Sequence, residues 1–241
     1  MVKRYYKKGK GFGKKRLIRL LGLGFILAGL TMVGYVFFPL ISWQIYFAPV
    51  FANQAVTAPI PQKSVVSGST FQSLLREASQ IGVDYTNADN WFPDFKYQRD
   101  GEQKIKFYSI SIPKLNIKNA AVSTVDTDLT KHLVNYGGTA IPAEKGNAVV
   151  FGHSTLPQLY ESRNYKTVFT YLYELVPGDK IVVNVDSVTY KYNVESVTVV
   201  DPENTSILQQ SFDDSFLTLV TCAPPGTIWK RLAVRARIER L

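Results

Sequence analysis

Phe216-Leu217-Thr218-Leu219-Val220-Thr221-Cys222, followed by Ala223-Pro224-Pro225-Gly226, is a β-type run that ends on a thiol and breaks at once into a loop. Apolar and β-branched residues favour a strand up to Thr221, and Pro-Pro-Gly cannot continue one. Cys222 is the only cysteine of 241 residues. A lone thiol cannot close an intramolecular disulfide, so it serves either as a small buried hydrophobe or as a reactive group.

The surrounding sequence repeats this texture. From Phe107 onward, short β-type runs alternate with turn residues, over 107–112, 115–123, 146–152, 180–186, 189–200, 216–222 and 231–239. Pro177-Gly178 turns the chain ahead of Asp179, and Asp186-Ser187 separates two runs in the manner of a hairpin. Residues 167–175, Thr-Val-Phe-Thr-Tyr-Leu-Tyr-Glu-Leu, predict a short helix. Many short strands with few helices indicate a mainly β domain, a closed or nearly closed barrel. Residues 107–241 suffice for one core without disulfides. They contain no internal repeat and no metal-ligand cluster, so neither a metal nor another cofactor is expected.

The formal net charge of +9 resembles a nucleic-acid signal until it is located. Residues 1–19 hold nine Lys or Arg and no acid, which leaves 28 − 9 = 19 basic against 19 acidic residues elsewhere. A basic nucleic-acid-binding face on the main domain is therefore not supported. Residues 20–62 contain no charged side chain, and Leu20–Phe38 is long and apolar enough to cross a hydrocarbon core of about 30 Å. Tyr35, Trp43 and Tyr46 suit the far interface, and Pro39 is expected to end or bend the helix. Basic residues on one side only place 1–19 in the cytoplasm, 20–47 in the membrane and its interface, and the rest outside. A cleaved signal peptide, cut after Ala52, is the alternative, but its apolar core would be too long. Exported proteins pair their cysteines or avoid them, which makes the solitary Cys222 more telling.

Residues 48–106 read as an extracytoplasmic linker. Pro49, Pro59, Pro61 and Gly68 sit among small polar residues, then 71–82 has helical apolar spacing through Phe71, Leu74, Leu75, Ala78 and Ile81. A polar stretch, 84–104, embeds Trp91-Phe92-Pro93, which either covers part of the later domain or packs against it.

Two more residues accompany the thiol. His153 follows Gly152 at the end of Ala148-Val149-Val150-Phe151, and Arg231 opens the last run nine positions after Cys222. Singly, each has an ordinary reading: a hydrogen-bonding strand-end histidine and a solvated arginine. Together they form a thiol nucleophile, a proton partner and a charge stabiliser. Alternation puts Leu232, Val234, Ala236 and Ile238 on the apolar side of the last strand and Arg231 opposite, toward an external groove. Thr218, Val220 and Cys222 share one face of their strand, Leu217 and Leu219 the other.

At these residues the chain resembles the sortase family of cysteine transpeptidases. Thr218-Leu219-Val220-Thr221-Cys222 fits the family's Thr-Leu-x-Thr-Cys motif, accompanied by Gly146-Asn147, Gly152-His153 and Lys230-Arg231-Leu232. Ile112-Pro113-Lys114-Leu115, Gly138-Thr139-Ala140-Ile141-Pro142 and Pro177-Gly178-Asp179 extend the likeness over roughly 107–241. The resemblance implies an eight-stranded sortase-type barrel with short helices behind an N-terminal transmembrane anchor. It implies a thiol peptidase and acyltransferase that cleaves a Leu-Pro-x-Thr-Gly-like sorting signal on secreted proteins and joins them to a cell-wall precursor or pilin amine. Cys222 would be the nucleophile, His153 the proton donor and acceptor, and Arg231 the holder of the substrate backbone and oxyanion. Val220, Thr221 and Phe151 would line the substrate. Phe151 replaces the small residue that many members carry there, which bears on side-chain preference. Some members bind calcium, but no acidic cluster here predicts a site.

Two rivals belong to other classes. An L,D-transpeptidase also uses Cys and His outside the membrane, but with a nearby histidine and Ser-x-Gly-Cys, whereas 222 − 153 is 69 and Thr-Leu-Val-Thr precedes Cys222. A membrane-anchored, non-catalytic barrel scaffold would have no need of all three residue types. His132, in Leu129-Thr-Lys-His-Leu-Val-Asn135, is the other candidate base but lacks the strand-end context.

Overall fold

The computed structural model describes residues 14–42, 82–92, 95 and 104–239. The predicted helix at 71–82 lies outside these residues, apart from Gly82. The chain divides into two compact units, Met1–Val50 and Phe51–Leu241. The first is built on one helix, α1 (Lys14–Ser42), which continues through Pro39 instead of ending there. Its Ile18–Tyr35 segment is long and apolar enough to span a membrane, with a mean hydropathy of 1.7.

The second unit is a closed barrel of eight strands: β1 (Phe107–Ile112), β2 (Ile117–Ser123), β3 (Leu133–Asn135), β4 (Gly146–Phe151), β5 (Lys180–Val185), β6 (Val188–Val200), β7 (Ser215–Ala223) and β8 (Lys230–Ile238). Around the barrel the order is β1-β2-β3-β4-β7-β8-β6-β5. The β2–β3 and β4–β7 pairs are parallel and the others antiparallel. Closure leaves no open sheet edge. The interior is filled by alternate residues, among them Ile110, Val122, Val183, Val194, Leu217, Leu219 and Val234.

Three expectations need correction. β3 is an additional strand, three residues long and too short to show periodicity. β2 starts at Ile117, because Pro113–Leu115 form a 3-10 turn and Asn116 takes a left-handed conformation, φ 54°. Residues 167–175 form successive turns with a 3-10 turn at Leu172–Glu174, since Val168, Phe169, Leu172 and Leu175 are drawn into the barrel core.

The quoted motif fragments hold the frame together. Lys114 pairs with Asp179 at 2.8 Å, and Asp179 also accepts the Val176 amide at 2.7 Å, locking the Pro177-Gly178 turn onto the end of β1. Asn147 donates to Ile207 O and accepts the Thr218 hydroxyl, which fixes the β6–β7 connection against β4. A Cβ on Gly146 would come within 2.7 Å of Ala140 Cβ, so the glycine lets the Gly138–Pro142 segment lie close.

Candidate active site

β7 lies between β4 and β8, and this order assembles the site. Cys222 stands opposite Arg231 in the antiparallel β7–β8 register, with Arg231 Nη1 3.8 Å from Sγ. On the other flank, β4 runs parallel to β7 as far as Phe151 opposite Val220, and Gly152-His153 continues beyond it. Gly152 N donates to Val220 O (3.1 Å), and the Thr221 hydroxyl donates to Gly152 O (2.8 Å). Only glycine fits at 152, because a Cβ would meet Phe169 at 2.5 Å and Leu133 at 2.6 Å. Thiol, imidazole and guanidinium thus occupy the ends of three adjoining strands.

The outward faces of these strands carry a second apolar cluster. Val149, Phe151, Val220, Cys222 and Ala233 form its floor, with Val134, Tyr136 and Leu208 at the sides. Ala88, Trp91 and Phe92 lie over it as a cover. The Trp91 ring stacks on Phe151 with centroids 5.3 Å apart and planes 10° from parallel, and approaches the His153 ring at 5.8 Å. Trp91 is fully buried, Cys222 is 6% exposed and Arg231 1%. The cover is held to the loop before β3 by Ala88 N to Thr127 O (3.0 Å) and Leu129 N to Thr86 O (2.9 Å).

Alternation places Arg231 outside the barrel, as expected, but the cover buries it. Its guanidinium donates to Ile228 O (2.9 Å) and Lys230 O (3.2 Å), and through Nη2 to Trp91 O at 3.1 Å. The rings of Trp91 and Tyr85 face it at 5.4 and 5.8 Å. Its Nε is buried with no partner. A buried guanidinium needs acceptors, and backbone carbonyls with aromatic faces supply them here. Burial pushes the Cys222 thiol above its ordinary pKa, against the opposing pull of Arg231. Burial also pushes His153 down, with the Lys166 charge adding to the effect. Under the cover both groups are therefore biased toward their neutral forms.

The other sequence expectations sort by strand parity. Val220 and Phe151 face the outer cluster. Thr221 does not. It has the parity of the interior residues Leu219 and Ala223, and its hydroxyl is committed to Gly152 O. His132 is a structural residue, with Nδ1 3.0 Å from Leu133 O and Nε2 3.0 Å from Asp126 Oδ1. Both ring nitrogens are thus engaged by partners other than Cys222. The contacts of Trp91 and Tyr85 with Arg231 were not foreseen, and the only hint was an aromatic pair inside a polar stretch. Among the described residues no group of three or more His, Cys, Asp or Glu is placed to hold a metal ion.

The fold and the strand-end thiol define a closed, mainly β barrel that carries its one cysteine at the end of a central strand. The sortase domain model matches residues 110–239, over half the chain, and the chain belongs to the sortase family. Sortase D of Bacillus subtilis (strain 168) is 25% identical over 207 residues, 86% of this chain and 89% of that protein. Sortase A from Corynebacterium diphtheriae superposes with a TM-score of 0.52 at 27% identity, over 70% of this chain and 84% of that one. The pilus-related Sortase C of Group B Streptococcus superposes at 0.51 with 24% identity, over 70% and 88%, a likeness of fold alone.

Proposed function

We propose that this protein is an active membrane-anchored sortase that cleaves a Leu-Pro-x-Thr-Gly-like sorting signal on secreted proteins and transfers them to an amine of a cell-wall precursor or a pilin. The observation that carries this reading is the convergence of Cys222, His153 and Arg231 at the ends of β7, β4 and β8. The Cys222 thiolate attacks the Thr carbonyl carbon, a C–S bond forms, and the C–N bond to Gly breaks as the His153 imidazolium protonates the leaving amine. The incoming amine then attacks the thioester and gives a proton back to His153. Its C–N bond forms as the C–S bond breaks, returning the thiolate. Arg231 donates to the substrate carbonyl oxygen as it gains negative charge.

In the closed form the carbonyl of Trp91 takes the guanidinium donor that the substrate carbonyl needs. Substrate entry therefore displaces the cover, and Phe151 and Val220 then line the exposed groove. Residues 1–19 form the cytoplasmic tail, 20–47 the anchor and its interface, 48–106 the external linker with its cover, and 107–241 the catalytic barrel. No metal or other cofactor is assigned a step. The test is to incubate the full chain in detergent with a library of sorting peptides and a small amine. Cleavage between Thr and Gly with amine-dependent product is expected. Cleavage of peptidoglycan stem peptides alone would favour the L,D-transpeptidase, and an unreactive thiol would favour a scaffold.

A further inference from the structure

The ties of Cys222 to its two neighbours are unequal. Cys222 and Arg231 are opposed within a continuous antiparallel ladder that runs on to Ala223 and Lys230. His153 has no such rung, because pairing of β4 with β7 ends at Phe151 opposite Val220. Bonds in a parallel ladder recur at every second residue. After Gly152 N to Val220 O, the next one in phase would run from residue 154 to the carbonyl of Cys222 itself. That bond is made by a side chain: the Ser154 hydroxyl donates to Cys222 O at 2.9 Å. The remaining bonds of this segment lead elsewhere. His153 O accepts from Phe169 N (2.9 Å), and Thr155 N donates to the Thr170 hydroxyl (3.0 Å), so both bind the segment to the 167–172 turns.

We propose that Ser154 is a positioning residue, whose hydroxyl replaces the missing rung and sets the distance between the His153 imidazole and the Cys222 thiol. The proposal rests on the transpeptidase reading for the use of that distance, but not for its existence. Ser154 touches no reacting atom. It joins the residue after His153 to the peptide of Cys222, so loosening it lets the imidazole-bearing segment move with the 167–172 turns while Cys222 stays with β8. A misplacement of about 1 Å at a reacting pair costs on the order of a hundredfold in rate. Since Thr221 still holds Gly152, Ser154→Ala should lower kcat about tenfold, with KM within about twofold. Ser154→Thr, which keeps a hydroxyl, should recover most of it.

The deciding measurement needs no substrate. The rate of Cys222 alkylation by iodoacetamide, followed against pH in the full-length protein, carries a shoulder above the His153 titration whose height rises with the coupling between thiolate and imidazolium. The parent and Ser154→Thr should show this shoulder, His153→Ala should lack it, and Ser154→Ala should show it lowered, with a melting temperature within a few degrees of the parent. A shoulder of parental height in Ser154→Ala overturns the proposal. So does a lowered one that comes with a large fall in melting temperature and is not restored by threonine. If the parent cleaves no sorting peptide yet its shoulder depends on Ser154, the transpeptidase reading fails and the positioning role stands.

Discussion

The barrel has two apolar cores, and they differ in what it takes to open them. The interior core draws Ile110, Val183, Val194, Leu217 and Val234 from strands joined in an unbroken ring. Water reaches it only when the ladder breaks, which is global unfolding. The outer core has a floor of strand residues, Val149, Phe151, Val220 and Ala233, but a roof of Ala88, Trp91 and Phe92 from a segment outside the barrel. That roof hangs on a few bonds, among them Ala88 N to Thr127 O and Arg231 Nη2 to Trp91 O. Low-stability segments of this kind are the ones proteins use for access. If the cover lifts as proposed, Cys222 and Arg231 lie in the core that opens, and their burial is compatible with reacting.

Chemistry separates the cores most sharply. Cys222→Ala should abolish both cleavage and transfer while the melting temperature stays near that of the parent, because the covalent intermediate is lost but little volume is. Any appreciable turnover would sink the reading of the outer core as an active site. Arg231→Lys keeps the charge but loses the planar fork that reaches three carbonyls and the thiol at once. Losing an oxyanion donor typically costs about 3 kcal/mol, so a fall in kcat on the order of a hundredfold is expected. A lysine variant as fast as the parent would reduce Arg231 to a clamp for the cover.

Stability separates them next. Ile110→Ala in the interior should cost about 2–5 kcal/mol of unfolding free energy, as large-to-small core changes do. Trp91 is larger and also fully buried. Yet the cost of Trp91→Ala is capped by the free energy needed to lift the cover, because the variant can simply leave it open. Denaturant titration should therefore find Trp91→Ala the milder of the two, with cleavage several times faster than in the parent. If Trp91→Ala destabilises as much as Ile110→Ala, the cover is part of the global fold and the comparison breaks.

This division also explains what could be read from the sequence. β1 and β5 alternate between buried and partly or fully exposed residues, whereas β4 and β7 are buried throughout. Ala148–Phe151 is a continuous apolar run and Phe216–Thr221 is interrupted only by Thr218 and Thr221, the mark of a strand covered on both faces. That both runs ended at His153 and Cys222 made the site legible. β3 was invisible because three residues carry no period. The 167–175 pattern looked helical because its apolar residues pack inward from consecutive turns. Trp91 could not be assigned to the site, since no local rule says which surface an aromatic in a polar stretch will seek. At Thr221 motif membership and strand parity point to different faces, and the hydroxyl bonds Gly152 O.

The smallest expected effect tests whether the cover acts on charge as well as on access. Transfer needs a thiolate beside an imidazolium, so activity should be bell-shaped in pH. The acid limb reports the group that loses its proton first, His153, and the basic limb the thiol. In the closed protein burial is the leading cause of both shifts, downward for His153 and upward for Cys222. The limbs therefore stand further apart than free groups would place them, and the ion pair is a minority at every pH between. Trp91→Ala admits water to both groups, so His153 should rise, Cys222 should fall and the limbs should approach each other. Each unit by which the gap narrows raises the ion-pair fraction about tenfold. Lys166 continues to press His153 down after the cover has gone, so the acid limb should recover only part of its displacement, and Lys166→Ala on top of Trp91→Ala should move it further up. Measured on one sorting peptide, a faster Trp91→Ala with unmoved limbs would make the cover a purely steric gate. Limbs that move apart would contradict the desolvation account altogether.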